Sequence, residues 1–534
     1  MIARNEGDMS AESGAYVVRG DPRWRLVPSG PDRARRLRVT LAAGVCLLTG
    51  ATAAFRPEAA PLIAIAAVFA MICVEWRRGV WALLVLMPFA GVPVFIGGTP
   101  GLAVRDAAVV LPLYVGFAAA FARDGEAIRM PPLGIALPAL AVFALIVVLG
   151  VPRAPSVSVG VLGTRVWLAY VPLLVIGYHF IRRSEDFDRV LALTARLGLV
   201  PAALAVAEWV AAARAGGSFG AFSHLYGSSG VVPAALVGDW LAAARTGGSF
   251  GPFSHLYAAS GALPRSFVFG SSDHFVLITR IPSTFTSAQS YYGFSIVAFS
   301  AALAQVLRHG GRGWTVCTMA LAAGAAASGA RAAYVMVPMI TVATLLLSGF
   351  RLSRLAAVAV VVGAMVIALA AGGADPLLVA RLLPGHAQVE LTYGWHEMQS
   401  GGLTAFGHGT GWDTNAALRY GDTDQWRYIE NWFAKASLEL GAVGLASITV
   451  ALAALVFHTL RPLRDVDAAT RQLAAPVCAL LVLTVLSLFK GPYIDLDPLN
   501  VYFWLLAGML AGLYRAAGAT AESREETRGE SGST

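Results

Sequence analysis

The chain has 534 residues, of which 57% are hydrophobic and 13% are charged, and its mean hydropathy is +0.65. These values lie outside the usual range of soluble globular proteins and exclude that class. The formal net charge is +8, and because the arginines flank apolar runs, this charge reflects membrane topology and not nucleic-acid binding.

Apolar runs long enough to cross a bilayer core of about 30 Å, which takes roughly 20 helical residues, recur along almost the whole chain. We therefore predict an all-α, polytopic bundle of about fourteen transmembrane helices within residues 37–515. The flanking residues 1–36 and 516–534 are polar, and we predict that both are disordered. All four cysteines lie inside the apolar runs, so neither a disulfide framework nor a zinc cluster is expected. In chain order the predicted spans are about 39–55, 59–75, 80–96, 106–122, 132–150, 162–180, 190–209, 288–307, 314–329, 332–349, 354–372, 437–458, 473–489 and 498–514.

Arginines cluster in every second connection between these spans, which is the pattern of cytoplasmic loops. The alternation predicts that both termini are cytoplasmic. It also puts two long segments, about residues 210–287 and 373–436, on the outer face, together with the lone arginines Arg56, Arg105 and Arg153. The basic connections carry Arg77, Arg78, Arg123, Arg129, Arg182, Arg183, Arg308, Arg312, Arg351, Arg354, Arg461, Arg464 and Arg471.

The first long outer segment contains a tandem duplication within residues 201–261. "PAALAVAEWVAAARAGGSFGAFSHLYGSSG" is followed by "PAALVGDWLAAARTGGSFGPFSHLYAASG". The apolar run of the second copy is too short to cross the membrane, so we expect this copy to lie on the membrane surface or to pack within the loop. His224 and His255 occupy equivalent positions, and we expect both to be surface or packing residues.

Three arginines stand alone near the outer ends of predicted spans: Arg165 in "VLGTRVWLAYVPLL", Arg280 in "LITRIPSTFTSAQSYYGF" and Arg331 in "AASGARAAYVMVP". A guanidinium near hydrocarbon requires a partner, so such residues indicate functional sites. The planar guanidinium fork suits bidentate binding of phosphate. Snorkelling to the interface, or an ion pair with an acidic neighbour such as Asp273, is the alternative reading.

The second long outer segment is polar, aromatic and rich in glycine. Its part "HAQVELTYGWHEMQSGG" has helical character and lacks the second histidine of a zinc motif, so no metal site is predicted. The following "FGHGTGW" is either a tight turn or a loop whose amides bind a sugar or phosphate oxygen beside His408. Trp395 and Trp412 offer flat apolar faces for sugar rings or interfacial anchors. We expect this segment to cover the membrane site on the acceptor side.

Glu430 and Asn431 precede the twelfth predicted span. Attack of an acceptor hydroxyl on an anomeric carbon needs a nearby group that takes its proton, and cations stabilise a departing diphosphate. Glu430 is the candidate base, with Asn431 orienting it. The alternative is a carboxylate at a helix start that interacts with the helix dipole.

The connection between the last two predicted spans carries "KGPYIDLDPLN". Its charges are Lys490, Asp495 and Asp497. They lie in one short connection, so we expect Lys490 to form a local charge network with the two carboxylates near the same cavity.

The outer Arg-x-x-x-Thr-Phe segment at Arg280, the intramembrane "SGARAAYV", the loop motif "FGHGTGW" and "ENWFAKASLELGAVGLA" occur in this order along residues 160–515. In this order and sidedness the chain resembles the O-antigen ligase and O-antigen polymerase superfamily of bacterial envelope glycosyltransferases. The resemblance implies an undecaprenyl-diphosphate-linked glycan as donor and a periplasmic active site at the bacterial inner membrane. It implies no cofactor, metal or nucleotide sugar. The family's pyrophosphate-binding arginines fall on Arg280 and Arg331.

The two branches of this superfamily differ in their acceptor. Ligases transfer the glycan to lipid A core and typically have His-Asn where this chain has Glu430 and Asn431, whereas many polymerase-like members have Glu-Asn. We therefore predict a polymerase of lipid-linked oligosaccharide repeats, with a ligase as the runner-up, membrane lipid and a chain-length regulator as further partners, and no nucleic acid. A transporter or flippase for a lipid-linked glycan is the alternative of another class. Such proteins show half-chain pseudo-symmetry or paired broken helices, for which the sequence gives no sign.

Overall fold

The computed structural model describes residues 60–92, 105–214, 268–269, 278–279, 283–285, 288–349, 361–363, 365–366, 392, 395–396, 404–412, 429 and 431–531. The chain divides into two compact units, Met1–Val68 and Phe69–Thr534. Of the first unit, the structure describes only residues 60–68, which begin a helix. All the contacts below are within the second unit.

The described residues are almost entirely helical. A two-residue antiparallel pair, β1 (Val268–Phe269) and β2 (Ile278–Thr279), lies in the first long connection, with Val268 opposite Thr279. The helices in chain order are α1 (Ala60–Val74), α2 (Trp76–Leu86), α3 (Leu111–Asp124), α4 (Ala136–Gly150), α5 (Val157–Leu168), α6 (Leu173–Phe180), α7 (Ser184–Arg214), α8 (Ala288–His309), α9 (Arg312–Ala327), α10 (Arg331–Leu347), α11 (Trp432–Leu460), α12 (Ala468–Ser487) and α13 (Leu499–Ser531).

The prediction of an all-helical, multi-pass membrane architecture is confirmed. Within the described residues, eight helical segments are long and apolar enough to cross a membrane. The predicted spans at 39–55 and, for the most part, 354–372 lie outside the described residues. The last helix continues to Ser531, beyond the predicted end of its span at 514. The eight segments are Asp106–Asp124, Ala136–Arg153, Val157–Phe180, Ser184–Val210, Ala288–His309, Trp432–Arg464, Ala468–Ser487 and Leu499–Ala519.

Three of these segments have an N-cap residue whose side chain accepts a hydrogen bond from a backbone amide of the first turn. Ser156 accepts from the Val159 amide at the start of α5, at 3.2 Å. Asp467 accepts from the Thr470 amide at the start of α12, at 3.3 Å. The third cap, Asn431 at the start of α11, belongs to the site described below. Such caps satisfy amides that a helix leaves without an internal partner.

The helix at the centre of the bundle is α8, and 89% of its most apolar stretch is buried. It packs against α7, α9 and α12, while α13 packs along α6. The last pair can approach closely because two glycines lie between the helices. A Cβ on Gly177 would lie 2.4 Å from the Leu505 carbonyl oxygen, and one on Gly508 would lie 1.9 Å from the Leu174 carbonyl oxygen. Small residues at such contacts are typical of membrane helix packing.

Several of the basic connections meet at one end of the bundle, which we name the basic end. Arg77 Nη2 donates to the carbonyl oxygens of His179 (3.1 Å) and Phe180 (2.6 Å). Arg515 Nη2 donates to the Ile181 oxygen at 2.9 Å, and the His179 ring nitrogen lies 2.8 Å from the Arg129 oxygen. Guanidinium groups therefore satisfy carbonyls that the end of α6 leaves open.

Candidate functional site

A cluster of buried and partly buried charges lies at the end of the bundle opposite the basic end, near the starts of α3 and α13. We name it the arginine cluster: Arg105, Asp106, Arg165, Tyr170 and Asp497. Arg105 Nη2 donates to Asp106 Oδ1 at 2.7 Å, to Asp497 Oδ2 at 3.0 Å and to the Tyr170 hydroxyl at 2.6 Å. Arg165 Nε donates to the other oxygen of Asp106 at 2.8 Å. Asp106 opens a π-helical turn ahead of α3, a feature that is frequent at functional sites.

The arginine cluster has two guanidinium groups and two carboxylates, so its formal charges balance. The Arg105 side chain is only 2% exposed. Burial alone would lower the pKa of Arg105, but the negative charges of Asp497 and Asp106 outweigh this and raise it above its ordinary value. Arg105 therefore stays charged, and removal of one carboxylate would leave a buried charge that is poorly compensated.

A second cluster surrounds Lys435 in the first turns of α11, and we name it the lysine cluster. Lys435 Nζ lies 2.7 Å from Asp495 Oδ2, 3.9 Å from Glu439 Oε1 and 4.9 Å from the centre of the Trp167 ring. Trp167 Nε1 donates to Glu439 Oε2 at 2.7 Å, and Trp432 Nε1 donates to Asp495 Oδ1 at 2.8 Å. Glu439 is fully buried. Because Trp167 lies between Arg165 and Tyr170 in the chain, and Asp495 lies two residues before Asp497, the two clusters are adjacent.

Residues 404–412, which we name the clamp loop, fold against a break in α11. The break is at Gly441, whose φ of 71° and ψ of −171° are non-helical. A helix interrupted here loses internal hydrogen bonds, and the clamp loop replaces them. Four main-chain hydrogen bonds join the clamp loop to the two sides of the break. Before the break they are His408 N to Leu438 O (2.8 Å) and Gly409 N to Glu439 O (3.0 Å), and after it they are Ala442 N to Thr404 O (2.8 Å) and Val443 N to Ala405 O (3.2 Å).

The other amides of "GHGTG" and the amide of Trp412 also donate within the protein. Amides held in this way are not available to a sugar or phosphate oxygen, so the structure favours the tight-turn alternative for "GHGTG". The glycines are needed because Gly407, Gly409 and Gly411 all have positive φ. The further bonds are Gly407 N to Thr404 Oγ1 (2.9 Å), Thr410 N to Gly150 O (3.2 Å), Gly411 N to Glu439 Oε2 (2.7 Å) and Trp412 N to Gly409 O (3.4 Å).

His408 and Trp412 form an aromatic pair on the clamp loop. Their rings stack with centroids 4.8 Å apart and planes 23° apart. The His408 side chain is exposed, whereas Trp412 is partly buried and packs against Ile429, Ala434 and Leu438. An exposed imidazole backed by an indole presents one flat apolar face and two hydrogen-bonding nitrogens to the outside.

The structure brings four of the predicted site residues together: Arg165, His408, Trp412 and Asn431. Arg165 belongs to the arginine cluster, and the next two lie on the clamp loop. Asn431 is 2% exposed and caps α11, since its side-chain oxygen accepts from the amides of Phe433 (2.9 Å) and Ala434 (3.1 Å).

Of the other four predicted residues, the structure describes two. Arg331 is half-buried at the first position of α10, and the Trp395 side chain is 58% exposed. Arg280 and Glu430 lie outside the described residues. Three residues after Arg280, Ser283 Oγ donates to the Pro201 oxygen of α7 at 2.8 Å.

Several residues of the two clusters were missed by the sequence reasoning. Glu439 could have been predicted from the sequence, because an acidic residue inside an apolar span indicates a functional site. Arg105 was treated only as a topology marker, and its neighbour Asp106 was not considered. The expected charge network of Lys490 with Asp495 and Asp497 stays a prediction, and the structure pairs Asp495 with Lys435 and Asp497 with Arg105.

Two helical segments are broken, a feature that the apolar pattern of the sequence does not reveal. The segment Val157–Phe180 is interrupted between α5 and α6, and α11 is interrupted at Gly441. The two interruptions adjoin each other, since Trp167 at the end of α5 binds Glu439, two residues before Gly441. Hydropathy does not report such breaks because a single non-helical residue leaves the apolar composition of a span unchanged.

Comparisons with known proteins assign no family to the chain. No protein-family model matches it, and no curated protein matches it. Within the described residues, no group of three or more His, Cys, Asp or Glu side chains is placed to hold a metal ion.

Proposed function

We propose that this protein is a membrane glycosyltransferase that polymerises undecaprenyl-diphosphate-linked oligosaccharide repeats into O-antigen or exopolysaccharide. The proposal includes about fourteen spans in the bacterial inner membrane, both termini in the cytoplasm and an active site on the periplasmic face. It needs no metal, because the leaving group is a diphosphate whose charge arginines can stabilise.

The observation that supports this proposal is the convergence of Arg165, His408, Trp412 and Asn431 at one end of the bundle. These residues come from three distant parts of the chain, and the buried hydrogen bonds from Trp167 and the Gly411 amide to Glu439 join the segments that carry them. Glu430 is the residue immediately before Asn431, so the base proposed for the reaction is next to a rigid, capped helix start. Rigid support of this kind is what a catalytic group needs.

The proposed step breaks the bond between the anomeric carbon of the donor glycan and the diphosphate oxygen. A hydroxyl of the acceptor glycan forms the new bond to that carbon, and its proton passes to the Glu430 carboxylate. Arg280 and Arg331 stabilise the charge that develops on the departing undecaprenyl diphosphate. The exposed His408 side chain, backed by Trp412, contacts the acceptor sugar.

Transfer to lipid A core is the second candidate within the enzyme class, since the chemistry at the donor is the same. The adjoining helix breaks favour a third candidate, a transporter for a lipid-linked glycan, because broken helices line substrate sites in transporters. In α11, however, the clamp loop occupies the backbone groups at the break. The break is therefore sealed by protein and does not offer its helix ends to a substrate.

The decisive experiment is reconstitution of the purified full chain in liposomes that contain undecaprenyl-diphosphate-linked repeats on the accessible face. A polymerase yields a ladder of lengthened glycans together with one released undecaprenyl diphosphate per added repeat. A ligase yields product only when lipid A core is added. Movement of the lipid-linked repeat across the bilayer without any new glycosidic bond would overturn the enzyme proposal in favour of a transporter.

Matched variants test the proposed residues. Glu430→Gln and Arg331→Gln should reduce extension by at least about 100-fold, the usual scale for a general base or an electrostatic group. Glu185→Gln and Arg308→Gln make the same changes of charge at exposed positions of the basic end and should keep wild-type rates. Extension at normal rates in Glu430→Gln and Arg331→Gln would refute the site.

A further inference from the structure

A groove at the basic end of the bundle is separate from the outer site. It has a volume of about 530 Å³ and lies between α7, the end of α8 and the start of α9, with Trp81 of α2 at its edge. Two arginines of α7, Arg189 and Arg196, line it together with Trp314 of α9. Because they are seven residues apart, both arginines lie on one face of α7, about 10 Å apart along its axis.

The carboxylate in this groove is already bound. Asp188 accepts from Gln305 Nε2 at 2.7 Å, and the His309 ring nitrogen lies 3.0 Å from its other oxygen. By contrast, Arg189 and Arg196 have no hydrogen bond or ion pair within the part of the chain that the structure describes. The groove therefore presents two cations whose negative partner is missing from the described protein.

The position of Arg196 indicates the depth of the groove in the membrane. Arg196 is exposed and lies twelve residues into the apolar segment Ser184–Val210, about 18 Å along the helix. Its guanidinium stacks over the Trp314 ring, 5.3 Å from the centroid, and Trp314 is in the first turn of α9. The side chain thus extends towards the basic end, to the level at which a neighbouring helix begins. Tryptophans such as Trp81 and Trp314 are typical of the headgroup level of a bilayer.

We propose that this groove binds the headgroup phosphate of an anionic phospholipid in the leaflet at the basic end. Arg189 and Arg196 bind the phosphate oxygens as charged donors. Trp81 and Trp314 pack against the glycerol backbone and the first methylenes of the acyl chains. The charge balance beside the groove favours an anionic lipid, since residues 182–196 carry four arginines against three carboxylates.

Lipid binding by the purified full chain tests this proposal independently of any glycan chemistry. Native mass spectrometry and nanodisc titration measure the affinity for phosphatidylglycerol, with phosphatidylethanolamine as the zwitterionic comparison. The variant Arg189→Gln/Arg196→Gln should bind phosphatidylglycerol about 30-fold more weakly, which corresponds to about 2 kcal/mol at 1.4 kcal/mol per factor of ten. Arg196→Gln alone should lose about fivefold, by the same arithmetic.

The control variant is Arg308→Gln/Arg312→Gln. It removes two exposed charges at the same end without touching the groove lining, and it should bind within about twofold of the wild type. The proposal would be overturned if the protein bound phosphatidylglycerol and phosphatidylethanolamine with equal affinity. It would also be overturned if Arg196→Gln and the double variant both bound phosphatidylglycerol with wild-type affinity. Inorganic phosphate or glycerol 3-phosphate binding as tightly as phosphatidylglycerol would also overturn it, because the groove would then be a site for a soluble anion.

Discussion

Replacement of Glu439 by alanine removes the acceptor of two buried hydrogen bonds, from Trp167 Nε1 and from the Gly411 amide, each 2.7 Å long. Both bonds end on Oε2, so the single amide oxygen of glutamine can keep both. A buried donor left without an acceptor costs about 1–3 kcal/mol, while Lys435 retains Asp495. We therefore expect Glu439→Ala to lower the free energy of unfolding by about 3–5 kcal/mol. Glu439→Gln should lower it by only about 1–2 kcal/mol, because charge-assisted bonds become neutral ones.

The measurement is unfolding of the full chain in mixed micelles by increasing SDS, followed by tryptophan fluorescence, with all variants in one detergent and lipid composition. Glu185→Ala, which removes an exposed carboxylate at the basic end, is the control and should change the unfolding free energy by less than about 0.5 kcal/mol. Equal losses for the alanine and glutamine variants of Glu439 would show that Oε2 does not hold the clamp loop to α11.

Three further predictions concern the same end of the bundle. Gly441→Ala should lower the free energy of unfolding by about 2–4 kcal/mol, since the φ of Gly441 is 71° and a Cβ there would lie 2.4 Å from a main-chain nitrogen of the clamp loop. Gly313 lies in a helix with nothing within 4 Å of an added Cβ, so Gly313→Ala should instead raise the free energy of unfolding by about 0.5–1 kcal/mol in the same assay. A Gly441→Ala variant as stable as the wild type would contradict the break. Lys435→Met should lower the free energy of unfolding by about 3–5 kcal/mol, because it leaves carboxylates without their cation. Adding Asp495→Asn should restore at least about 1 kcal/mol of that free energy in a double-mutant cycle. Strictly additive effects would argue against an interaction between Lys435 and Asp495. His408→Ala should change the free energy of unfolding by less than about 0.5 kcal/mol, because the hydrogen bond from His408 to α11 is made by its main-chain amide. The same variant should raise KM for the lipid-linked glycan in the extension assay. An unchanged KM would show that the His408 side chain is not part of the site.

The helices that hydropathy predicted best are those with unbroken apolar runs of bilayer length. The eighth predicted span, at 288–307, is Ala288–His309 in the structure, and the fourth, at 106–122, is Asp106–Asp124. Hydropathy averages over about 19 residues, so it registers where a run begins and ends. It does not register a change in the dihedral angles of a single residue such as Gly441, whose neighbours are as apolar as those of any continuous helix.

The site was predictable where a residue conflicts with its own surroundings. Arg165 stands alone in an apolar stretch, and the structure gives it a partly buried partner, Asp106. The pair of Arg105 and Asp497 was not predictable in this way, because the two residues are 392 positions apart and neither local pattern refers to the other. Asn431 shows a third case: its position before an apolar run is also that of a helix cap, and the cap is what the structure describes.

The break in α11 makes this helix two rods with separate supports. Residues 432–440 take their orientation from Trp167, Asp495 and the clamp loop, whereas residues 442–460 contain no Asp, Glu, Lys or Arg and are the part suited to span the apolar layer. When a bilayer becomes thinner or thicker, a spanning helix adjusts its tilt to reduce hydrophobic mismatch. We expect the break at Gly441 to absorb that adjustment, so that the polar rod keeps its position relative to the charged clusters in membranes of different thickness.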